Sequence, residues 1–277
     1  MGNSINTNAG AMIALQNLNA TNSQLATAQS RINTGFKVAS AKDNGAIWAI
    51  AQNQRADVSA LDAVTDSLNR GKSTLDVAIS AAETISDLLN QMKAKALAAV
   101  DASLDTNART AMNDDFKALR DQIKKTVTNA TFNGANLLKT GAVNIASLAD
   151  ATGTSKLTIV AQVMGLGAAG SVLTVGATQS FNSAATASTA LGLVNASITA
   201  VNGAIAKLGT TSKAFDLHTA FVAKLMDTMT SGIGNLVDAD VARESATLQA
   251  LQTKQQLGVQ ALGIANQSPQ ILLSLFK

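Results

Sequence analysis

Cysteine and tyrosine are missing from this 277-residue chain, and proline, histidine and tryptophan occur once each. Without cysteine there are no disulfides, thiolate metal sites or cysteine nucleophiles. A lone histidine, His218, excludes a histidine-based metal cluster. Proline ends helices by removing an N–H and clashing with the preceding turn, so a single one, Pro269, leaves room for long uninterrupted helices. Charge is also scarce: charged residues make up 14% and the formal net charge is +3. No block of Lys and Arg interleaved with aromatics appears, so the electrostatic footprint of a nucleic-acid binder is lacking. Met1 to Asn8 has neither a basic nor an apolar segment of the kind that marks a cleavable signal peptide. No apolar run is expected to reach the ~20 residues of a membrane-spanning helix.

What is present is Ala, Leu, Val and Ile at heptad spacing, within a hydrophobic fraction of 47%. From Leu61 the 3,4 alternation selects Val64, Leu68, Gly71, Leu75, Ala78, Ala82, Ile85, Leu89, Met92, Ala96 and Ala99, with no polar residue among them. That series predicts a helix roughly 58 Å long at the helical rise, and therefore a rod. Asp105 is placed to cap a second helix with seam Met112, Phe116, Leu119, Ile123 and Ala130. A third series runs Leu191, Val194, Ile198, Val201, Ile205, Leu208, Ser212, Phe215, Thr219, Val222, Met226, Met229 and Ile233 in coiled-coil register. After Ile233 the phase slips by one, to Val237, Val241, Leu248, Leu251 and Leu262. Gly232 and Gly234 sit at the slip, where a glycine weakens a helix by about 1 kcal/mol relative to Ala, and a joint or hinge is expected there.

The N-terminal stretch is sparser. Leu18, Leu25 and Ile32 recur every seven residues, with Leu15 and Phe36 assigned to the same side and Asn22 and Gln29 between them. Such a helix buries too little to stand alone. Between about 134 and 186 Gly, Ala, Ser and Thr dominate, with β-like runs at Leu157–Val160 and Val172–Val175. The expected fold is mainly α: a long antiparallel helical rod or coiled-coil bundle with a small β-hairpin region at one end.

Candidate chemistry is thin. Gly165, Gly167 and Gly170 fit the spacing G-x-G-x-x-G, which needs a helix opening at the glycines and an acid about 20 residues on. Here a strand-like run follows and no acidic residue appears until Asp216, so a hairpin connection is the better reading. His218 neighbours the seam position Thr219 and suits a polar contact on the helix surface or between helices. Asp114 and Asp115, being adjacent, diverge on a helix. Trp48 fits an interface or core packing equally. No catalytic, cofactor or metal residue is assigned, and the chain is read as no enzyme.

The ends of the chain resemble bacterial flagellin. The likeness is carried by Ile5-Asn6-Thr7-Asn8, Arg31-Ile32-Asn33-Thr34-Gly35, Ser40-Ala41-Lys42-Asp43, and Thr131-Phe132-Asn133-Gly134-Ala135-Asn136-Leu137-Leu138. Near the C-terminus it rests on Asp238-Ala239-Asp240-Val241-Ala242-Arg243-Glu244-Ser245 and Ala265-Asn266-Gln267-Ser268-Pro269-Gln270. The chain departs from the family's junction pattern at Asp43-Asn44-Gly45-Ala46-Ile47-Trp48.

The resemblance implies a structural subunit that polymerises into the bacterial flagellar filament for motility, alone or with related flagellins. Residues 1–42 and 235–277 would be the terminal helices of the inner tube and 43–234 the helical rod, with 134–186 the outward-facing hairpin and loop segment. It also implies an extracellular location, export without a cleavable signal peptide, and a filament cap, hook-junction proteins and an export chaperone as partners. Subunit contacts would fall to Leu18, Leu25, Ile32, Phe36, Leu248, Leu251, Leu262, Leu272 and Phe276, and the hinge to Gly232 and Gly234. The receptor patch of two arginines and a leucine found in many members maps to Lys93, Lys95 and Leu97, weakened because Lys lacks the planar fork of Arg. Two alternatives stay open: a hook–filament junction protein, and a non-flagellar helical signalling rod.

Overall fold

A computed structural model describes residues 7–274, with side chains through Gln267. Among the described residues seven elements follow one another: α1 (Ala9–Thr34), α2 (Gly45–Ala99), α3 (Thr106–Asn129), β1 (Ile145–Leu148), β2 (Lys156–Ile159), α4 (Ala184–Val237) and α5 (Val241–Ser274). The chain divides into two compact units: Met1–Ala56 with Thr228–Lys277, and Asp57–Asp227.

In the second unit the expected seams are the core. Every residue of the series from Leu61 to Ala99 is buried, Gly71 included. On α4, Val194, Val201, Leu208, Phe215 and Val222 are buried and their seam neighbours half-buried. Lys72 pairs with Asp216, and Ser86 with Asn202, so α2 and α4 run antiparallel. Asp105 caps α3, its carboxylate accepting from Ala108 N at 2.6 Å. Lys95 then meets Asp115 at 2.7 Å, laying α3 antiparallel to the end of α2. By length and composition α4 is apolar enough to cross a membrane, contrary to the sequence expectation. Val194, Val201, Leu208, Phe215 and Val222 on its seam are nevertheless buried within the unit.

The hairpin region differs from the sequence reading. β2 forms close to where the β-like run Leu157–Val160 lies, but its antiparallel partner is β1, with Ile145 opposite Ile159 and Leu148 opposite Lys156. Val172–Val175 forms no strand. Instead Thr174 N and Val175 N donate to the buried hydroxyl of Ser197 on α4, which occupies donors a sheet would need. The glycine-spaced segment Gly165–Gly170 is a loop with left-handed Gly167 and Gly170, closed by a bond from Val172 N to the Val163 carbonyl at 2.7 Å. Gly170 opens no helix. His218 Nε2 lies 2.8 Å from the carbonyl of Ala149, just after β1, so its polar contact is with the hairpin region and not with another helix.

Phe132 and Ala135 exchange backbone hydrogen bonds at 2.9 Å across Asn133 and Gly134, whose φ values are 47° and 80°. Two positive φ values at Asn-Gly are the mark of a type I′ turn. The buried Asn136 then secures the end of α3: its Nδ2 donates to the Val127 carbonyl at 2.8 Å, and its Oδ1 accepts from Leu138 N and Lys139 N.

Candidate subunit interface: the paired chain ends

The first unit brings the two ends of the chain together. α1 and α5 run antiparallel, pinned along their length. Asn8 Nδ2 donates to the Ala265 carbonyl at 2.7 Å, and Gln255 Nε2 to Asn22 Oδ1 at 2.7 Å. Arg31 meets Glu244 at 3.0 Å. Beyond Gly35, which closes α1 at φ 73°, the backbones themselves pair: Ala239 N donates to the Gly35 carbonyl, and Lys37 N and Val38 N to the Val237 carbonyl. Asn8 caps α1 by accepting from Ala11 N at 3.0 Å, and Asp240 caps α5 by accepting from Ala242 N and Arg243 N.

The inner stripe of α1 is Ala11, Ala14, Leu18, Thr21, Leu25, Ala28 and Ile32, an unbroken 3,4 heptad in which Thr21 and Ala28 are buried. On α5 the matching stripe is Leu248, Leu251, Gln255, Gly258, Leu262 and Ala265, with Leu251 buried. Of the residues expected at subunit contacts, Leu18, Leu25, Ile32, Leu248, Leu251 and Leu262 thus lie on the stripes facing the other end of the same chain. Phe36 is 37% exposed, and the Arg55 guanidinium stands 6.0 Å from its ring centre. The side chain of Leu272 and the whole of Phe276 lie outside the described residues. Leu15 is a correction: it points outward at 48% exposure, because the heptad runs through Ala14 and not its neighbour. Asn22 and Gln29 do not interrupt the stripe either, since the positions between the large residues are Thr21 and Ala28.

α4 runs unbroken through Gly232 and Gly234, and the helical interruption comes at Asp238–Asp240. Before α2 the backbone turns through Asp43, whose Oδ2 accepts from Ala39 N, Ser40 N and Ser40 Oγ. These bonds, that from Ser40 N foremost, hold the Asp43 carboxyl below its usual value. Asn44 Oδ1 then accepts from Ile47 N, which makes the divergent segment Asp43-Asn44-Gly45 a helix start.

What the pair leaves uncovered matters most. Met12 is 62% exposed, Ile13 60%, Leu257 59%, Val259 56% and Ile264 70%. A groove of about 580 Å³ between the helices is lined by Ile13, Ala14, Leu18, Thr21, Leu257 and Gly258, among others. The face of α1 bearing Met12, Ile13 and Leu15 holds another hollow of about 440 Å³. Sequence reasoning missed this outer face, although its signal was legible: Met12, Ile13 and Leu15 fall off the heptad yet are large and apolar.

Antiparallel chain ends that keep a thin seam between them and an apolar exterior define a helical protein built for assembly. The N-terminal helical region of bacterial flagellin matches residues 5–142, and its C-terminal helical region matches residues 191–276. The chain is 56% identical to flagellin FljK of Caulobacter vibrioides, over 99% of both chains. It is 35% identical to a flagellin of Brucella melitensis, again over 99% of both. Among solved structures, a protein assigned as flagellar hook-associated in Vibrio parahaemolyticus shares the fold at a TM-score of 0.58 and 16% identity, covering 71% of this chain and 100% of that one. The chain belongs to the bacterial flagellin family, and it is a structural subunit of the flagellar filament that self-assembles.

Proposed function

We propose that the α1–α5 pair is where one subunit meets the next, with its outer face covered by neighbouring copies. The supporting observation is the contrast between its two sides. Inside, leucines alternate with Thr21, Ala28, Gln255 and Gly258; outside, Met12, Ile13, Leu257, Val259 and Ile264 stand in solvent. Burying such a side chain contributes about 1.5–3 kcal/mol, so the outer face favours assembly. Leu18, Leu25, Ile32, Phe36, Leu248, Leu251 and Leu262 act at the contact by holding the pair in shape, as would Leu272 and Phe276 if they continue it. Residues 1–42 with 235–277 form the inner tube, 43–234 the rod, and 134–186 the outward segment. Repetition of one contact whose rotation does not close gives an open helical polymer.

The test is a double variant, Ile13→Asp with Ile264→Asp, examined by electron microscopy after seeding with filament fragments. Two carboxylates on the outer face should abolish elongation while leaving the helical circular dichroism of the free chain unchanged. Filaments that grow from the variant as they do from the parent would refute the assignment. The same reading makes the end helices gain order on assembly. Leu251→Ala should then cost about 2–5 kcal/mol per subunit in the filament and much less in the free chain.

In this reading the chain is extracellular, leaves the cell without a cleavable signal peptide, and copolymerises with related flagellins. A filament cap, hook-junction proteins and an export chaperone are its further partners. Catalysis, a membrane and nucleic acid play no part. Gly232 and Gly234 provide the hinge. An added Cβ at Gly232 meets nothing within 4 Å, and one at Gly234 meets Asp238 Oδ2 at 2.7 Å. Replacing both by Ala therefore stiffens α4 next to its end, and the filament's helical parameters should change. The immune-receptor patch is Lys93, Lys95 and Leu97. Leu97 is 57% exposed and the Lys95 ammonium is engaged by Asp115, so recognition through this patch is weak.

A further inference from the structure

Three asparagine–glycine pairs occur in the chain, at 44–45, 133–134 and 202–203. In such a pair the glycine nitrogen can attack the asparagine carboxamide, because no Cβ crowds its approach. The three differ in what restrains them. Asn202 and Gly203 lie inside α4, where the Gly203 N–H belongs to the helical ladder and Asn202 Oδ1 accepts from Ser86 Oγ. Asn44 Oδ1 is held by Ile47 N as the cap of α2, with Gly45 the first helical residue. Asn133 is exposed at the tip of its turn, and neither its carboxamide nor the Gly134 N–H has a hydrogen-bond partner among the described residues. A Cβ built on Gly134 would meet nothing within 4 Å, so the space around the reacting nitrogen is open.

We infer that Asn133 is a self-modification site, at which the chain deamidates through a succinimide ahead of its other two asparagine–glycine pairs. The Gly134 nitrogen gives its proton to solvent base and bonds to Asn133 Cγ. The Cγ–Nδ2 bond breaks and ammonia leaves. Water then opens the ring: attack at the Cγ carbonyl gives aspartate, and attack at the main-chain carbonyl gives isoaspartate. One water is consumed, one ammonia is released, and no redox partner is needed. Isoaspartate carries the main chain through Cβ, lengthening the turn by one atom. Phe132 and Ala135 then lose the register of their paired bonds, and the adjoining hold of Asn136 on the end of α3 loosens.

The experiment incubates the folded full-length chain, and in parallel the chain unfolded in denaturant, in mildly alkaline buffer. Peptide mapping with electron-based fragmentation then distinguishes Asn, Asp and isoAsp at each pair. In the folded chain Asn133 should react at least about tenfold faster than Asn202, since local opening of a helix must precede reaction there. Asn44 should fall between them, as its cap must first break. Unfolded, the three should react at similar rates. Equal rates in the folded chain, or an Asn133 that is protected on folding as strongly as Asn202, overturn the inference. Asn133→Gln, which slows ring closure and keeps the carboxamide, should remove the isoaspartate signal at this turn alone.

Discussion

Gly258 on α5 lies directly over the side chain of Leu18 on α1: a Cβ added at 258 would stand 3.3 Å from Leu18 Cδ1. This close fit against Leu18 explains why a glycine is tolerated within the helix. A methyl group there is tight, but the neighbour is the free end of a leucine, which can give by a few tenths of an ångström. Gly258→Ala also gains helix propensity, about 1 kcal/mol. The two effects should nearly cancel, leaving thermal unfolding of the chain close to that of the parent. Gly258→Val adds two branches that Leu18 cannot clear, and overpacking of this kind costs about 1–3 kcal/mol. Its thermal midpoint should fall, and filament elongation should weaken with it.

At the other end of the same pair, Arg31 lies in the last turn of α1 and Glu244 in the first turn of α5, 3.0 Å apart. Each charge has the sign its helix end favours, acid at the N-terminus and base at the C-terminus. The pair is partly exposed, so the direct coupling should be modest, about 0.2–1 kcal/mol and smaller at high salt. A charge swap separates the two contributions. Arg31→Glu or Glu244→Arg alone should destabilise. The double swap restores the pair but sets both charges against their helix dipoles, so denaturant midpoints should recover only in part. Full recovery would show that the dipoles contribute nothing.

The long seams were legible because they are dense. Every position from Leu61 to Ala99 in the 3,4 series is apolar or glycine, and one phase satisfies them all, so the buried face of α2 follows from spacing alone. The paired ends were only half legible. Leu18, Leu25 and Ile32 announced a face, but the residues completing it, Thr21 and Ala28, are small, one of them polar, and carry little hydrophobic signal. That gap allowed Leu15 to be drawn onto a face it does not share. β1 was missed for a similar reason, since Ile145-Ala146-Ser147-Leu148 has one β-branched residue and no aromatic. Val172–Val175 shows the converse: a strand-like run whose amides are taken up by Ser197 of α4, a contact that no local pattern announces.

Acid should act at the turn before α2. Asp43 is held below its usual value chiefly by the Ser40 N–H, helped by the Ser40 hydroxyl and the Ala39 N–H. A carboxylate with a depressed folded value contributes stability that is fully present above its unfolded value and is lost as pH falls through the folded one. The turn should therefore be intact at neutral pH and begin to loosen only below about pH 4. Carboxyl carbon chemical shifts should place the Asp43 titration below that of exposed aspartates. Asp43→Asn should flatten this part of the stability curve, leaving less to lose on acidification than in the parent.

Gly71 is the corresponding close approach in the second unit, and here the neighbours cannot move aside. A Cβ at this position would collide with Ser147 Oγ of β1 and stand 2.8 Å from Cε1 of the fully buried Phe215. Gly71→Ala thus sets a helix gain of about 1 kcal/mol against overpacking of about 1–3 kcal/mol, and the second term should win. Urea unfolding should show a lower midpoint. Gly209, within α4 and with nothing inside 4 Å of its added Cβ, is the internal control: Gly209→Ala should raise the midpoint, by roughly 0.5–1 kcal/mol in stability. Phe215→Leu removes the ring atoms facing position 71 and is itself destabilising, because it leaves a cavity. Combined with Gly71→Ala, however, it should cost less than the sum of the two, since the new methyl group occupies space the ring has vacated. Such non-additivity is expected of residues in contact, whereas strict additivity would mean that the harm of Gly71→Ala comes from Ser147 alone.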